Sequence, residues 1–131
     1  MSTRKVSDVM NTDFLSMPGT TTVTDAIHAM RPTNAHALLV DKRTEDDELG
    51  LVLVSDIAKN VLAVSRSPDR VNIYEIMTKP VLSVDPDMHI HYCARLFDHF
   101  GISTAPVVSQ GKTLGIVTYD ALVLKGLAAD L

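Results

Sequence analysis

One small unit is written twice in this chain. The opening reads Val6-Ser7-Asp8-Val9-Met10, and Ile73-Tyr74-Glu75-Ile76-Met77 repeats it as apolar, polar, acid, apolar, methionine, at an offset of 67 residues (Met10 to Met77). Each copy runs on to an apolar-Leu-Ser-apolar string, Phe14-Leu15-Ser16-Met17 and Val81-Leu82-Ser83-Val84. Self-similarity at a fixed period marks a copied supersecondary unit that cannot bury its apolar face alone. With 131 residues, the chain has room for one compact domain or two halves sharing a core, and a half of about 60 residues buries little surface alone.

Beyond the strings, the two copies stay in step. A turn follows each, Pro18-Gly19-Thr20 and Asp85-Pro86-Asp87, and then a helical pattern. Val23, Ala26, Ile27 and Met30 fall at i, i+3, i+4 and i+7, and so do Ile90, Cys93, Ala94 and Phe97, which makes one face of each helix apolar. Thr22 with Asp25 resembles a capping box. The Arg31-Pro32 pair is expected to end the first helix, because the residue before proline resists the α conformation, and Gly101 to end the second. Two short strands follow in each half: His36–Asp41 and Leu49–Val54, then Thr104–Ser109 and Leu114–Tyr119. The first pair is joined by KRTEDDE, expected as a solvated loop, and the second by only QGKT. A second helix closes each half, from Ser55 and from Asp120. The order is β-α-β-β-α, twice: a mixed α/β (α+β) fold with repeat 1 over residues 1–64, a polar linker over 65–72 and repeat 2 over 73–131.

Composition narrows the function classes. A net charge of −4 gives no basic surface for nucleic acid and no attraction to an anionic membrane. No apolar run approaches the roughly 20 residues that cross a bilayer, and no apolar stretch follows the basic residues of MSTRKVSDVM, so no secretory signal is expected. Cys93 is the single cysteine. It permits no internal disulfide, fits a reducing cytoplasm and reads as a core residue.

With the doubled opening in place, Ala105-Pro106-Val107-Val108 and Gly115-Ile116-Val117-Thr118 running into a helix, and Gly50–Ile57 as its first-half counterpart, the chain resembles a tandem pair of CBS domains. This is the module named after cystathionine β-synthase and called a Bateman module, here expected to stand alone. The resemblance covers Val6 to about Leu127. It implies two repeats packed about a pseudo-two-fold axis, two clefts between them, and a homodimer, commonly a flat disc. It also implies regulatory binding of an adenosine-containing ligand (AMP, ADP, ATP or S-adenosylmethionine), with no other cofactor, and a protein effector that reads the occupancy.

The helix starts after Leu51-Val52-Leu53-Val54-Ser55 and after Gly115-Ile116-Val117-Thr118 offer N–H groups to a phosphate. The candidate ligand residues are Leu53, Ser55 and Asp56 with His36 and Ala37 in the first half. In the second they are Thr118, Tyr119 and Asp120 with Thr104, Ala105 and Pro106, and the segment Lys79-Pro80-Val81 completes the set. The family's nucleotide signature reads Gly-apolar-x-Thr/Ser-x-x-Asp/Asn, and here it is divided. The first half keeps the acid, Asp56, but has Leu53 at the hydroxyl position. The second keeps Thr118 but has Ala121 at the acid position, with Asp120 one residue early. No more than one good site per chain is expected, centred on Asp56 or on Thr118.

Each candidate has a rival role. Asp56 suits the first turn of a helix, where the dipole favours an acid. Thr118 suits a strand, Asp120 an N-cap, Tyr119 a cover for the helix end, and His36 a local backbone bond. His89 and His91 are too close for an i, i+4 metal pair and are expected at the surface with His28 and His99. Arg66 and Arg70 are either solvated or in reach of a phosphate. With no nucleophile–base set or paired carboxylates at a usable spacing, no enzyme is expected. The rival to a sensor is an interaction scaffold that has lost its ligand, favoured by the divided signature and the surplus apolar surface of Ile57, Ala58, Val61, Leu62 and Val64.

Overall fold

The computed structural model describes residues 4–131. The chain forms two compact units, one being Phe14–Val81 and the other Leu82–Leu131 joined by the segment up to Asp13. We call them the inner unit and the split unit. Neither coincides with a sequence copy: the repeat boundaries mark where the pattern restarts, while packing crosses them.

The inner unit holds a three-stranded sheet in the order β1 (Ser16–Met17), β2 (Ala37–Val40), β3 (Gly50–Leu53). The first pair is parallel and the second antiparallel, with Ala37 opposite Leu53. Helix α1 (Val23–Met30) starts at Thr22, whose hydroxyl accepts from Asp25 N–H at 3.2 Å, and α2 (Val54–Ile57) grows directly from β3. Val23, Ala26 and Met30 pack on Leu38, Val40 and Val52, and the second copy's opening residues Ile73 and Ile76 complete this core. Thr78 extends the sheet beyond β3 through two backbone bonds with Leu51, of 2.8 and 3.0 Å.

In the split unit, β4 (Thr104–Ser109) and β5 (Lys112–Thr118) form an antiparallel hairpin with a bulge at Val107/Val108. Helix α3 (Ile90–Phe100) lays Ile90, Cys93 and Phe97 on it and ends at Gly101, whose φ of +66° is the left-handed cap that glycine adopts without strain. Val6 and Val9, from the chain's first helical turn, fill the same core. Asn11 pairs with Ile116 by backbone bonds of 2.8 and 2.9 Å, as Thr78 does with Leu51. Each opening motif thus closes the core of the unit built on the other copy. Burial desolvates the Cys93 thiol and pushes its pKa up to about 11, in keeping with an inert core residue.

Several expectations need correction. The second half's first strand shrinks to a single parallel bridge, Val84 to Val107. Helix α1 ends at Met30 before Arg31-Pro32 as expected, but a 3-10 turn over Arg31–Thr33 follows it to Asn34, which has φ +51°. The closing helices begin one residue early, at Val54 and Tyr119, and widen into π turns over Ala58–Leu62 and Leu122–Gly126. The 41–49 loop is not simply solvated. Asp47 accepts from the Arg43 backbone N–H at 2.9 Å and from the Lys79 ammonium.

These donors, Lys79 foremost and then the Arg43 backbone, hold the Asp47 carboxyl far below the ordinary carboxylate range. A depressed folded-state pKa adds stability that is present above the unfolded value and is lost only as pH falls through the folded one. The side-chain carboxyl carbon shift of Asp47 is therefore expected to stay constant around pH 4, where free carboxylates titrate. A titration of that carbon there would show the pin to be absent.

Candidate functional site

The candidate residues gather at two strand-to-helix junctions, one in each unit. In the inner unit, β2 and β3 bring Ala37 opposite Leu53, and Val54 N–H donates to the His36 carbonyl at 2.9 Å. His36, Ala37, Leu53, Ser55 and Asp56 therefore lie together. His36 and Ser55 are exposed, and Asp56 is partly buried. The Asp56 Oδ2 accepts from Leu53 N–H at 2.8 Å, which satisfies one of the donors a helix start leaves open. Leu53 has no acceptor to return the bond.

The split unit's junction is built alike. Thr104 faces Thr118, Ala105 faces Val117, and Tyr119 N–H donates to the Ser103 carbonyl at 3.1 Å. Here the cap is reversed: Thr118 Oγ1 accepts from Ala121 N–H at 3.1 Å, and the Ala121 methyl has no acceptor to answer it. Thr118, not Asp120, is the N-cap, and Asp120 is exposed. Tyr119 covers the junction, its ring edge-on to Phe97 with centroids 5.3 Å apart.

The divided signature has a physical reading. Thr/Ser-x-x-Asp at a helix start is also the reciprocal capping box. Leu53-x-x-Asp56 keeps only the acid arm and Thr118-x-x-Ala121 only the hydroxyl arm. Each retained residue holds its own helix start, and each lost one leaves that start half capped. Only one arm of the Thr/Ser-x-x-acid capping signal, Asp56 or Thr118, could be read at each junction.

Other candidates are placed differently. Ala105 and Pro106 are buried, and the Pro106 carbonyl accepts from Val84 N–H at 3.0 Å, so this strand offers a ligand less than expected. Lys79, Pro80 and Val81 belong to the inner unit, where the Lys79 ammonium meets Asp47. Arg66 pairs with Glu75 at 3.2 Å. The Glu75 carboxyl is held below its usual range by the Asn72 N–H first and by Arg66 as well. Arg70, His28 and His99 are exposed, whereas His89 and His91 are half-buried rather than fully at the surface. Among the described residues, no three His, Cys, Asp or Glu side chains gather as metal ligands, and no helix is long and apolar enough to cross a membrane.

Comparison with known proteins adds four findings. The family profile of the CBS domain matches twice, over residues 6–63 and 73–126. An uncharacterized protein of Methanopyrus kandleri is 28% identical over 94% of this chain, which spans 63% of that protein's length. Among solved structures, a hexameric CBS-CP12 protein from bloom-forming cyanobacteria superposes with a TM-score of 0.92 at 31% identity, over 97% of this chain and 73% of that one. The CBS domain pair of protein MJ0100, solved with 5′-methylthioadenosine and S-adenosyl-L-methionine, gives 0.82 at 22% identity over 98% of both chains.

Proposed function

Because this chain belongs to the CBS domain family and carries the domain in tandem, we propose that it is a non-enzymatic sensor. In this reading it binds one adenosine-containing small molecule, most simply AMP, ADP or ATP, at a strand-to-helix junction and reports occupancy to a protein effector. The observation that carries the reading is Asp56. Its Oδ2 is spent on Leu53 N–H, while its Oδ1 takes no donor among the described residues and is open to a ribose hydroxyl. The complex of the MJ0100 pair with two adenosine derivatives supports the ligand class. A ligand shifts the module between arrangements by no more than its differential affinity for them.

Asp56→Asn is the discriminating variant. The amide oxygen can still accept from Leu53 N–H, so the cap survives, but the charge is gone. A charge-assisted hydrogen bond is worth about 1.5–3 kcal/mol, so isothermal titration should show affinity at least tenfold weaker, with only the small drop in melting temperature that losing a first-turn charge brings. Unaltered affinity removes Asp56 from the site.

The second reading, a homodimerising scaffold without ligand, is favoured by the exposure of Leu62 (77%) and Leu124 (72%) on the two closing helices. Titration of the wild type with AMP, ATP and S-adenosylmethionine separates the two readings. Saturation near one ligand per chain supports the sensor, and silence with all three supports the scaffold. A cytoplasmic location accords with both.

A further inference from the structure

At the end of the inner sheet opposite the α2 start, where β1 and β2 finish and β3 begins, lies a cavity of about 480 Å³. We propose that it is a second binding site, for a small zwitterion with an apolar side chain, the chemistry of a free hydrophobic α-amino acid. Its volume is within the range of small-molecule sites, about 300–1,000 Å³. Pro18, Val40, Met77 and the half-exposed Tyr74 ring supply apolar wall. The wall is fixed by a close approach: a Cβ on Gly19 would lie 3.1 Å from the Tyr74 Cβ, and Tyr74 N–H donates to the Gly19 carbonyl at 3.1 Å.

The rim decides the ligand's charge. It presents three acids, Asp41, Asp47 and Glu48, and three bases, Lys42, Arg43 and Lys79. A simple anion would face Asp41 and Glu48, and a simple cation would face the bases; each meets repulsion. A zwitterion meets both signs favourably. Its carboxylate would take over from Asp47, which serves Lys79 with Oδ1 and Arg43 with Oδ2, as partner to both bases. Its ammonium would lie toward Asp41 and Glu48, and its side chain on the apolar wall.

A second observation comes from the repeat. The other copy builds the same fold with Ser7 in place of Tyr74, Thr12 in place of Lys79, Ser109 in place of Asp41, and QGKT in place of KRTEDDE. The fold therefore requires neither Tyr74 nor the charged rim, although the wall residues Val40 and Met77 recur as Val108 and Met10. The inference stands apart from the adenosine reading, since only Lys79 belongs to both residue sets.

The test is calorimetric titration of the full chain with L-leucine, L-methionine and L-phenylalanine, beside 3-methylbutylamine and 4-methylpentanoate, which each keep one charge of leucine. Saturation near one amino acid per chain with Kd below about 1 mM is expected. The single-charge analogues, and the Lys79→Gln variant, should each bind at least tenfold more weakly. Should Lys79→Gln fail to fold, Arg43→Gln, whose side chain is 83% exposed, takes its place with the same expectation. Asp56→Asn should leave amino-acid binding intact, whatever it does to an adenosine ligand. Three results overturn the proposal: no saturation by any of the three amino acids, a single-charge analogue binding as tightly as leucine, or loss of amino-acid binding in Asp56→Asn.

Discussion

Deleting residues 1–10 is expected to unfold the split unit while the inner unit stays folded. Val6 and Val9 are 0% and 1% exposed, and they enter a core otherwise made from Val84 onward. Full burial of such a side chain contributes about 1.5–3 kcal/mol, so the pair carries about 3–6 kcal/mol, an upper figure given residual burial in the unfolded chain. The deletion also leaves the Met88 and Pro86 carbonyls without their Val6 and Ser7 donors. Domain stabilities run only about 5–15 kcal/mol, so a loss of this size falls on one unit almost entirely. The inner unit keeps its own closing residues, Ile73 and Ile76. Hydrogen exchange should find amides of α3, β4 and β5 deprotected and those of β1 to β3 still protected, and a peptide of residues 1–13 added in trans should restore the lost protection. Unchanged protection in the β4–β5 hairpin would contradict the assignment of that segment.

The second large effect concerns two glycines that the repeat makes equivalent and the structure does not. A Cβ on Gly115 would lie 2.8 Å from the Asn11 backbone carbonyl oxygen and 3.0 Å from Met10 Sδ. That oxygen accepts from Ile116 N–H at 2.9 Å within the two-bond bridge, so it cannot retreat without giving up hydrogen bonds. Gly115→Ala is expected to cost about 1–3 kcal/mol in overpacking and about 0.5–1.5 kcal/mol for each bond lost. At Gly50 the first obstacle is Met77 Sδ at 2.6 Å, and an unbranched thioether can swing aside. Gly50→Ala should therefore cost less, the next contact being the Val40 Cβ at 3.1 Å. Denaturant midpoints of the two variants decide the matter, and equal losses would refute the explanation. The repeated methionine and the repeated strand glycine turn out to be the two sides of one contact.

Much of this was legible in the residues. The offset of 67 located both copies, the i, i+3, i+4 spacing located α1 and α3, and Gly101 marked the end of α3. What the pattern could not tell was which core an apolar residue enters. Val6 and Ile73 are equally good covers for either copy, and only chain geometry assigns each to the other's. The π turns were hidden as well, because Ala58–Leu62 reads as an ordinary helix. At the junctions, the residue types at positions 53, 56, 118 and 121 were plain, but their hydrogen bonds were not. A carboxylate that caps its own helix start and one aimed at a ribose occupy the same place in the sequence. The cavity escaped notice because KRTEDDE looks like any solvated loop until Lys79 is seen to anchor Asp47.

The exchange of opening segments sets where this chain can be cut and rejoined. A chimera spliced between residues 64 and 73 would pair each core with a foreign cover, and would fail wherever the two parents differ at Val6, Val9, Ile73 or Ile76. Seams after Asp13 and after Val81 keep every core with its own cover. A lone copy, made as a separate gene product, would hold a cover with no core and a core with no cover. It would be completed only by swapping arms with a second molecule, an encounter governed by concentration. Tandem duplication turns that encounter into an intramolecular step, set by linker length rather than expression level.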